Sequence, residues 1–483
     1  MAADKESNSY KSILKGISLF GGVKVFEILI NLIRGKFVAL FLGPEGMGIS
    51  SMFTSASSTI QRFASLGLNM AIVKEVAADR DDESRNRILE VCRRLVSLTA
   101  LAGAVICALF ASPLSRITFG SDAYTWQFFL LAAGIYFSIE GAGRLSLLQG
   151  LHKIKDISRA SVIGALAGLL VGVPLYYFFR DKGIVPAIVL LSLTLLVAYD
   201  IPVRKYSSSR KDRFSWKESK TIVRHLIILG IFLMANDLFC TLASYLINIF
   251  IRQHGSETTV GLYQAANSIT NQYSGLVFAA LAMDYFPRLS NVASDNSTMR
   301  DVVNRQTEVV ALVIAPAATL LILSAPLAIR ILLTTDFLPI VELMRWMGLG
   351  ILIRALSMPM AYISFAKGNK KLFFWMEGVG CNILTLVLSC GFFYYFGLMG
   401  LGYALVADNA LCLIIYYFIN HNLYEYRFTP NSLLFILLSI IFGILSFVSS
   451  FIPTASLAYL SMSLSFIISL LLGIKVLRKY IKK

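Results

Sequence analysis

Charge is scarce in this chain. Of 483 residues only 15% are Asp, Glu, Lys or Arg, against 57% hydrophobic, and the mean hydropathy is +0.70. That balance excludes a soluble globular protein and points to a polytopic helical membrane protein. Strand-like alternation is lacking as well: the apolar runs are about twenty residues long, where a transmembrane β-strand needs about ten. Catalytic signatures are absent. There is no Walker A sequence, GxSxG elbow or HExxH motif, so the chain is not read as an enzyme and no cofactor is implied. The six cysteines (Cys92, Cys107, Cys240, Cys381, Cys390 and Cys412) form no CxxC pair or Cys/His cluster. They read as small core residues with no disulfide framework, and neither they nor the four scattered histidines suggest a metal site. No small-residue cleavage site follows the polar N-terminus, so the first span reads as uncleaved.

What the chain has is long apolar stretches. Fourteen spans are read, roughly 14–42, 47–72, 90–111, 124–148, 159–179, 184–202, 221–251, 259–286, 306–332, 339–366, 372–396, 400–420, 432–452 and 457–474. The connections leave no room for a separate soluble domain. Both termini (Lys15 counted with the first) and the alternate connections 73–94, 149–159, 203–220, 287–305, 367–371 and 421–431 hold 31 of the 44 Lys and Arg. The opposite connections hold four (Arg116, Arg180, Lys182 and Arg252), and nine lie within spans. Loop charge therefore places both termini in the cytoplasm. The net charge of +16 partitions by membrane side, which argues against a nucleic-acid partner. The dense run from Arg204 to Lys220 reads as a topology anchor near anionic lipid headgroups.

That linker also separates two similar halves. Met47-Gly48-Ile49-Ser50 after the first span is echoed by Val260-Gly261-Leu262-Tyr263 after the seventh. Gln149-Gly150-Leu151-His152-Lys153 leads into a helix ending Tyr176-Tyr177-Phe178-Phe179. At an offset of 217, Ala366-Lys367-Gly368-Asn369-Lys370 leads into one ending Phe393-Tyr394-Tyr395-Phe396. The expectation is a parallel repeat of two six-helix lobes, 1–220 and 221–431, followed by two further spans and a basic tail, 432–483.

Four spans carry polar stripes at helical spacing. Lys24, Glu27, Asn31 and Arg34 lie on one face of the first span, and Ser51, Ser55, Ser58, Arg62, Ser65 and Asn69 on one face of the second. Asp237, Thr241, Ser244 and Asn248 follow on the seventh, and Gln264, Asn267, Asn271 and Ser274 on the eighth. A cation at the bilayer centre costs about 2.5–3.5 kcal/mol on insertion scales, so mid-span Lys and Arg are expected to face a wet cavity. Hydroxyl stripes alone more often serve helix packing. The expected cavity residues are Lys24, Arg34, Arg62, Arg354, Asn267 and Asn271. Lys24 with Glu27, and Glu140 with Arg144, also have the spacing of local ion pairs. Asp237 and Asp408 are isolated carboxylates and the candidate H⁺ or Na⁺ coupling sites; the competing reading is a salt bridge from each to an arginine on another span. A transporter without an ATP site borrows an ion gradient or product removal, so the chain reads as a secondary transporter.

The run from Arg34 to Ile49 (RGKFVALFLGPEGMGI) resembles the opening of the polysaccharide/O-antigen lipid-carrier flippases of the Wzx type. These belong to the MOP superfamily, which includes MATE multidrug extruders and lipid II flippases. Gly43-Pro44 ends the first helix, and Gly46 and Gly48 permit a tight turn into a serine-rich second. Asp284-Tyr285-Phe286-Pro287-Arg288-Leu289-Ser290 looks like the family's hPxLS helix exit. The resemblance implies two lobes around a central cationic cavity in a bacterial inner membrane. It also implies transfer of an undecaprenyl-pyrophosphate-linked oligosaccharide to the outer leaflet by alternating access, with membrane lipid and polysaccharide assembly proteins as partners. Arginine suits the pyrophosphate. Unlike the lipid II flippases, the eighth span carries no mid-span cation, so Arg354 on the tenth would supply it. A MATE-like cation/drug antiporter is the alternative; its cavity favours carboxylates and aromatics over Arg and Lys. A membrane polymerase or ligase would need a large outer loop.

Overall fold

A computed structural model describes residues 2–78, 82–206 and 216–481, with side chains left aside at 2–25, 82–84, 216–219, 221, 232–233, 235–236, 276–277, 279–284 and 480–481. Nearly all of the described residues are helical, with no strand among them. Eight stretches among them are long and apolar enough to cross a membrane by length and composition. Two of these, Ile154–Tyr206 and Lys370–Tyr424, hold 53 and 55 residues, and each is long enough to cross twice at about 20 residues per span. The protein is an all-α, multi-pass membrane protein. By contacts it forms two compact units, Met1–Gln253 and His254–Lys483. Residues 221–253, assigned to the second lobe from sequence, group with the first unit.

Unit 1 contains α1 (Ala2–Ser65), α2 (Leu68–Ala77), α3 (Asp82–Leu109), α4 (Ala111–Phe119), α5 (Thr125–Gly150), α6 (Ile154–Phe179), α7 (Ile184–Tyr206) and nearly all of α8 (Trp216–His254). α1 holds two rods, broken where Gly43 adopts φ 65, ψ −167. That region is open essentially to glycine alone, and Pro44 then supplies the fixed φ that suits a helix start. The expected turn is there. The core gathers Phe53, Phe119 and Phe128, all at most 1% exposed, with Phe53 4.9 and 5.2 Å from the other two ring centroids.

Unit 2 contains α9 (Glu257–Asn291), α10 (Asn296–Leu332), α11 (Val341–Ala366), α12 (Lys370–Phe373), a π-helical segment (Phe374–Gly380), α13 (Cys381–Tyr424), α14 (Pro430–Ser449) and α15 (Ala455–Ile481). Helix starts are capped by side chains. Asp295 accepts the backbone N–H of Ser297 and Thr298 at 3.1 Å, and these residues hold its carboxyl below the usual carboxylate range. Thr429 caps α14 ahead of Pro430 at 3.2 Å. At the expected exit of α9, Tyr285 and Leu289 are buried, and the Tyr285 hydroxyl donates to the Pro359 carbonyl at 2.6 Å.

The two halves repeat their backbone, not only their residue types. In the turn before α6, the N–H of His152 meets the carbonyl of Gln149 and that of Lys153 the carbonyl of Leu148, both at 3.0 Å. In the turn before α12, Gly368 meets Phe365 and Asn369 meets Ser364, also at 3.0 Å. His152 (φ 55) and Gly368 (φ 74) both take the left-handed conformation. These pairs correspond at an offset of 216, one less than the residue types suggested. At the far ends of the same helices the offset is 217: Arg180 has φ 47, ψ −126 and Gly397 φ 59, ψ −144. The extra residue is absorbed between them by the π segment Phe374–Gly380, where the Cys381 N–H reaches back to the Met376 carbonyl. A π-bulge is how a helix accommodates one inserted residue.

Candidate functional site

Three of the four stripe residues on α1 lie together. Glu27, Asn31 and Arg34 line one cavity of about 320 Å³ among α1, α5, α6 and α7. Gln149, Ser161 and Tyr199 add polar groups; the remaining wall is mostly Leu and Ile. Lys24 lies outside the described side chains. Arg34 is half-buried and makes no hydrogen bond or ion pair among the described residues; its charge acts on the buried Tyr176 of α6. A guanidinium offers five N–H donors in a planar fork, and here they are left to whatever enters the cavity.

Arg62 lies elsewhere in unit 1. Its Nη1 sits 3.1 Å from Asp237 Oδ2 on α8, with both side chains about half exposed. Of the two readings open for Asp237, the salt bridge to an arginine is the one formed. The pair is one rung in an antiparallel contact between α8 and the chain from α1 into α2. Asn248 donates to Ser55 at 2.9 Å, Gly67 abuts Gly230, and His225 lies 3.7 Å from Glu75. Beside these rungs Ser55, Ser58, Gln61, Arg62, Ser138 and Thr241 border a second cavity of about 430 Å³.

Glu140 and Arg144 pair at 3.0 Å as their spacing suggested, and the pair extends further. Arg144 Nε reaches Asp200 on α7 at 2.9 Å, Asp200 takes Arg204 at 2.6 Å, and Ser97 on α3 donates to Glu140. With Glu140 and Arg144 at 4% and 11% side-chain exposure, this network ties α3, α5 and α7 together.

In unit 2, Asn271 donates to Asn267 at 2.8 Å, so the two amides are joined along one face of α9. Arg354 is exposed, 6.0 Å from the Phe278 ring, and its charge acts on both Asp408 and Glu377. Asp408 is 7% exposed and accepts the Thr385 hydroxyl at 2.7 Å, with no arginine in salt-bridge contact among the described residues. Glu377 went unread in the sequence. It lies in the π segment, accepts the Tyr416 hydroxyl, and Tyr416 is 3.0 Å from Cys381. The Asn382 amide caps the Glu377 and Gly378 carbonyls at 3.1 and 2.8 Å, groups that the π turn loosens. A carboxylate inside an otherwise apolar span was the available signal. The cysteines divide: Cys92, Cys107 and Cys412 are buried, whereas Cys240 is exposed.

A family model described as "Polysaccharide biosynthesis protein" matches residues 37–342. The "Lipid III flippase" of Escherichia coli (strain K12) is 23% identical over 360 residues, 73% of this chain and 84% of that relative. Among solved structures, the lipid II flippase MurJ in an inward closed conformation matches with a TM-score of 0.72 at 16% identity, over 96% of this chain and 100% of that one. An inward-facing MATE-family transporter of the MOP superfamily matches with a TM-score of 0.67 at 16% identity, over 83% and 94%. At these identities the likeness is one of fold. With the family model spanning well over half of its residues, the chain belongs to the polysaccharide biosynthesis protein family.

Proposed function

We propose that this protein moves an undecaprenyl-pyrophosphate-linked oligosaccharide across a bacterial inner membrane by alternating access, catalysing no covalent step. The observation that carries the reading is Arg34: a half-buried guanidinium, without an ion pair among the described residues, bordering a cavity whose other walls are mostly Leu and Ile. A desolvated guanidinium binds phosphate oxygens bidentately, and the apolar wall suits the isoprenoid beside them. The lipid III and lipid II flippases similar to this chain support the same cargo class. The 31-to-4 division of loop Lys and Arg supports cytoplasmic termini, and hence loading from the cytoplasmic leaflet.

For energy coupling, Asp408 is the better of the two aspartates, with Glu377 beside it under the same arginine. Asp237 already has Arg62, whereas Asp408 has only neutral hydrogen-bond partners in direct contact. A buried carboxylate of this kind exchanges H⁺ or Na⁺ and biases a two-state equilibrium by its differential affinity.

The test is flipping of a fluorescent lipid-linked oligosaccharide in proteoliposomes. Arg34→Ala is expected to slow it at least ~10-fold, in line with the ~1.5–3 kcal/mol of a charged hydrogen bond. Arg34→Lys should recover part of the rate. Wild-type flipping by Arg34→Ala at matched reconstitution would refute capture of the headgroup at this cavity.

A further inference from the structure

We infer that the 430 Å³ cavity among α1, α2, α5 and α8 is a subsite for the saccharide portion of the cargo, distinct from the Arg34 cavity; this rests on the proposed flippase function. Its size falls within the about 300–1,000 Å³ of small-molecule sites. Its chemistry is the reverse of the Arg34 cavity. Ser55, Ser58, Gln61, Asn69, Ser138 and Thr241 converge on it from four helices, α1, α2, α5 and α8, and only Ile139, Ala142 and Cys240 interrupt the polar wall. Hydroxyls and amides both donate and accept, which matches a sugar ring and not a lipid tail.

Helix packing does not account for this arrangement. Small hydroxyl residues that serve packing let helices close on one another, whereas these border open space. Ser58 and Asn69 make no hydrogen bond among the described residues. Gln61 is held in place from both ends: its Nε2 donates to Ser57 at 2.7 Å and its Oε1 accepts from Ser138 at 2.8 Å. A fixed amide of this kind loses little freedom when a ligand arrives. Thr241 and Ser244 donate to backbone carbonyls at 2.7 and 3.0 Å and so present their lone pairs to a ligand. At the rim, Arg62 and Asp237 cancel in charge yet keep unused groups, further guanidinium N–H donors and the second carboxylate oxygen, which takes a sugar hydroxyl. Selection is therefore for a polyhydroxylated group and not for net charge.

Cys240 lines this cavity and is exposed, so it reports occupancy directly. The experiment measures alkylation of Cys240 by a water-soluble maleimide in the purified full-length protein, read by mass spectrometry of its peptide. The probes are neutral hexose and N-acetylhexosamine mono- and disaccharides and, separately, undecaprenyl phosphate, which carries no sugar. At least one saccharide should slow alkylation ~3-fold or more, as mass action requires once ligand exceeds its Kd about twofold. Undecaprenyl phosphate should not. Asn69→Leu with Ser58→Val should abolish the protection while Cys240 still reacts at its unprotected rate; the milder Ser138→Ala should weaken it. Protection by undecaprenyl phosphate in place of sugar, protection surviving in Asn69→Leu/Ser58→Val, or no protection by any saccharide would each overturn the subsite. The flippase reading falls separately, if Arg34→Ala flips normally.

Discussion

Gly67 offers the sharpest quantitative test of the packing in unit 1. It follows the break between α1 and α2 with φ +66, and a Cβ built there would lie 2.0 Å from the Gly230 carbonyl oxygen, 2.7 Å from its carbon and 2.8 Å from Met234 Cβ. The first two contacts are backbone, so no rotamer change relieves them. For Gly67→Ala the left-handed conformation costs about 1–2 kcal/mol and overpacking about 1–3, together about 2–5 kcal/mol. Gly230→Ala meets the Leu66 carbonyl oxygen at 2.3 Å but has ordinary helical φ. Its overpacking of about 1–3 kcal/mol is offset by up to about 1 from helix propensity. Gly35 has nothing within 4 Å of its built Cβ, so Gly35→Ala should be neutral or stabilising by up to about 1 kcal/mol. The expected order of thermal stability is Gly35→Ala, then Gly230→Ala, then Gly67→Ala. It is measured as the monodisperse fraction of detergent-solubilised protein after heating. Wild-type stability in Gly67→Ala, or a larger loss in Gly230→Ala, would refute the crossing of α8 at this break.

Two further outcomes are expected. Arg144→Met should destabilise by about 3–5 kcal/mol, because it strands Glu140 as a buried, uncompensated charge and leaves Asp200 with Arg204 alone. Replacing all three with apolar residues should recover most of that loss in the same heating assay; equal damage from single and triple replacements would argue against the network. In proteoliposomes, an imposed H⁺ or Na⁺ gradient should stimulate flipping by wild type but not by Asp408→Asn, and should still stimulate Asp237→Asn. Equal stimulation of wild type and both variants would remove Asp408 from coupling, and stimulation of none would leave flipping driven by product removal.

Local features were legible and distant ones were not. Glu27, Asn31 and Arg34 share a cavity because steps of three and four residues fix a helix face. Gly43-Pro44 announced its break because no other residue pair suits that geometry so well. Asn267 and Asn271 were read onto one face correctly, and the same four-residue spacing lets one donate to the other. The partner of Asp237 was one of two open readings, since Arg62 lies 175 residues away and nothing local selects between arginines. Glu377 was hidden within the aromatic and glycine run Phe374-Trp375-Met376-Glu377-Gly378, and its π turn has no periodic signature. Cys240 was assigned to a core by residue type, but it sits on the face of α8 that borders a polar cavity.

The change of offset from 216 to 217 gives Glu377 a meaning that its residue type alone does not. Two turns with the same hydrogen bonds and two helix ends with the same unusual backbone bracket one added residue in the second half. A bulge costs regular helix hydrogen bonds, and here Asn382 replaces part of what is lost by capping the Glu377 and Gly378 carbonyls. The bulge also rotates every later residue of the helix by about 100° relative to an uninterrupted α-helix. That rotation decides which residues after the bulge, Cys381 and Thr385 among them, face the second rod of α13, where Asp408, Cys412 and Tyr416 lie. The corresponding helix of unit 1, α6, runs without a π segment, and the cavity it borders is lined from α1 by Glu27, Asn31 and Arg34. A single added residue thus distinguishes two helices that otherwise repeat: α6 borders the cavity of Arg34, while the helix that follows the bulge brings Thr385 to the buried Asp408.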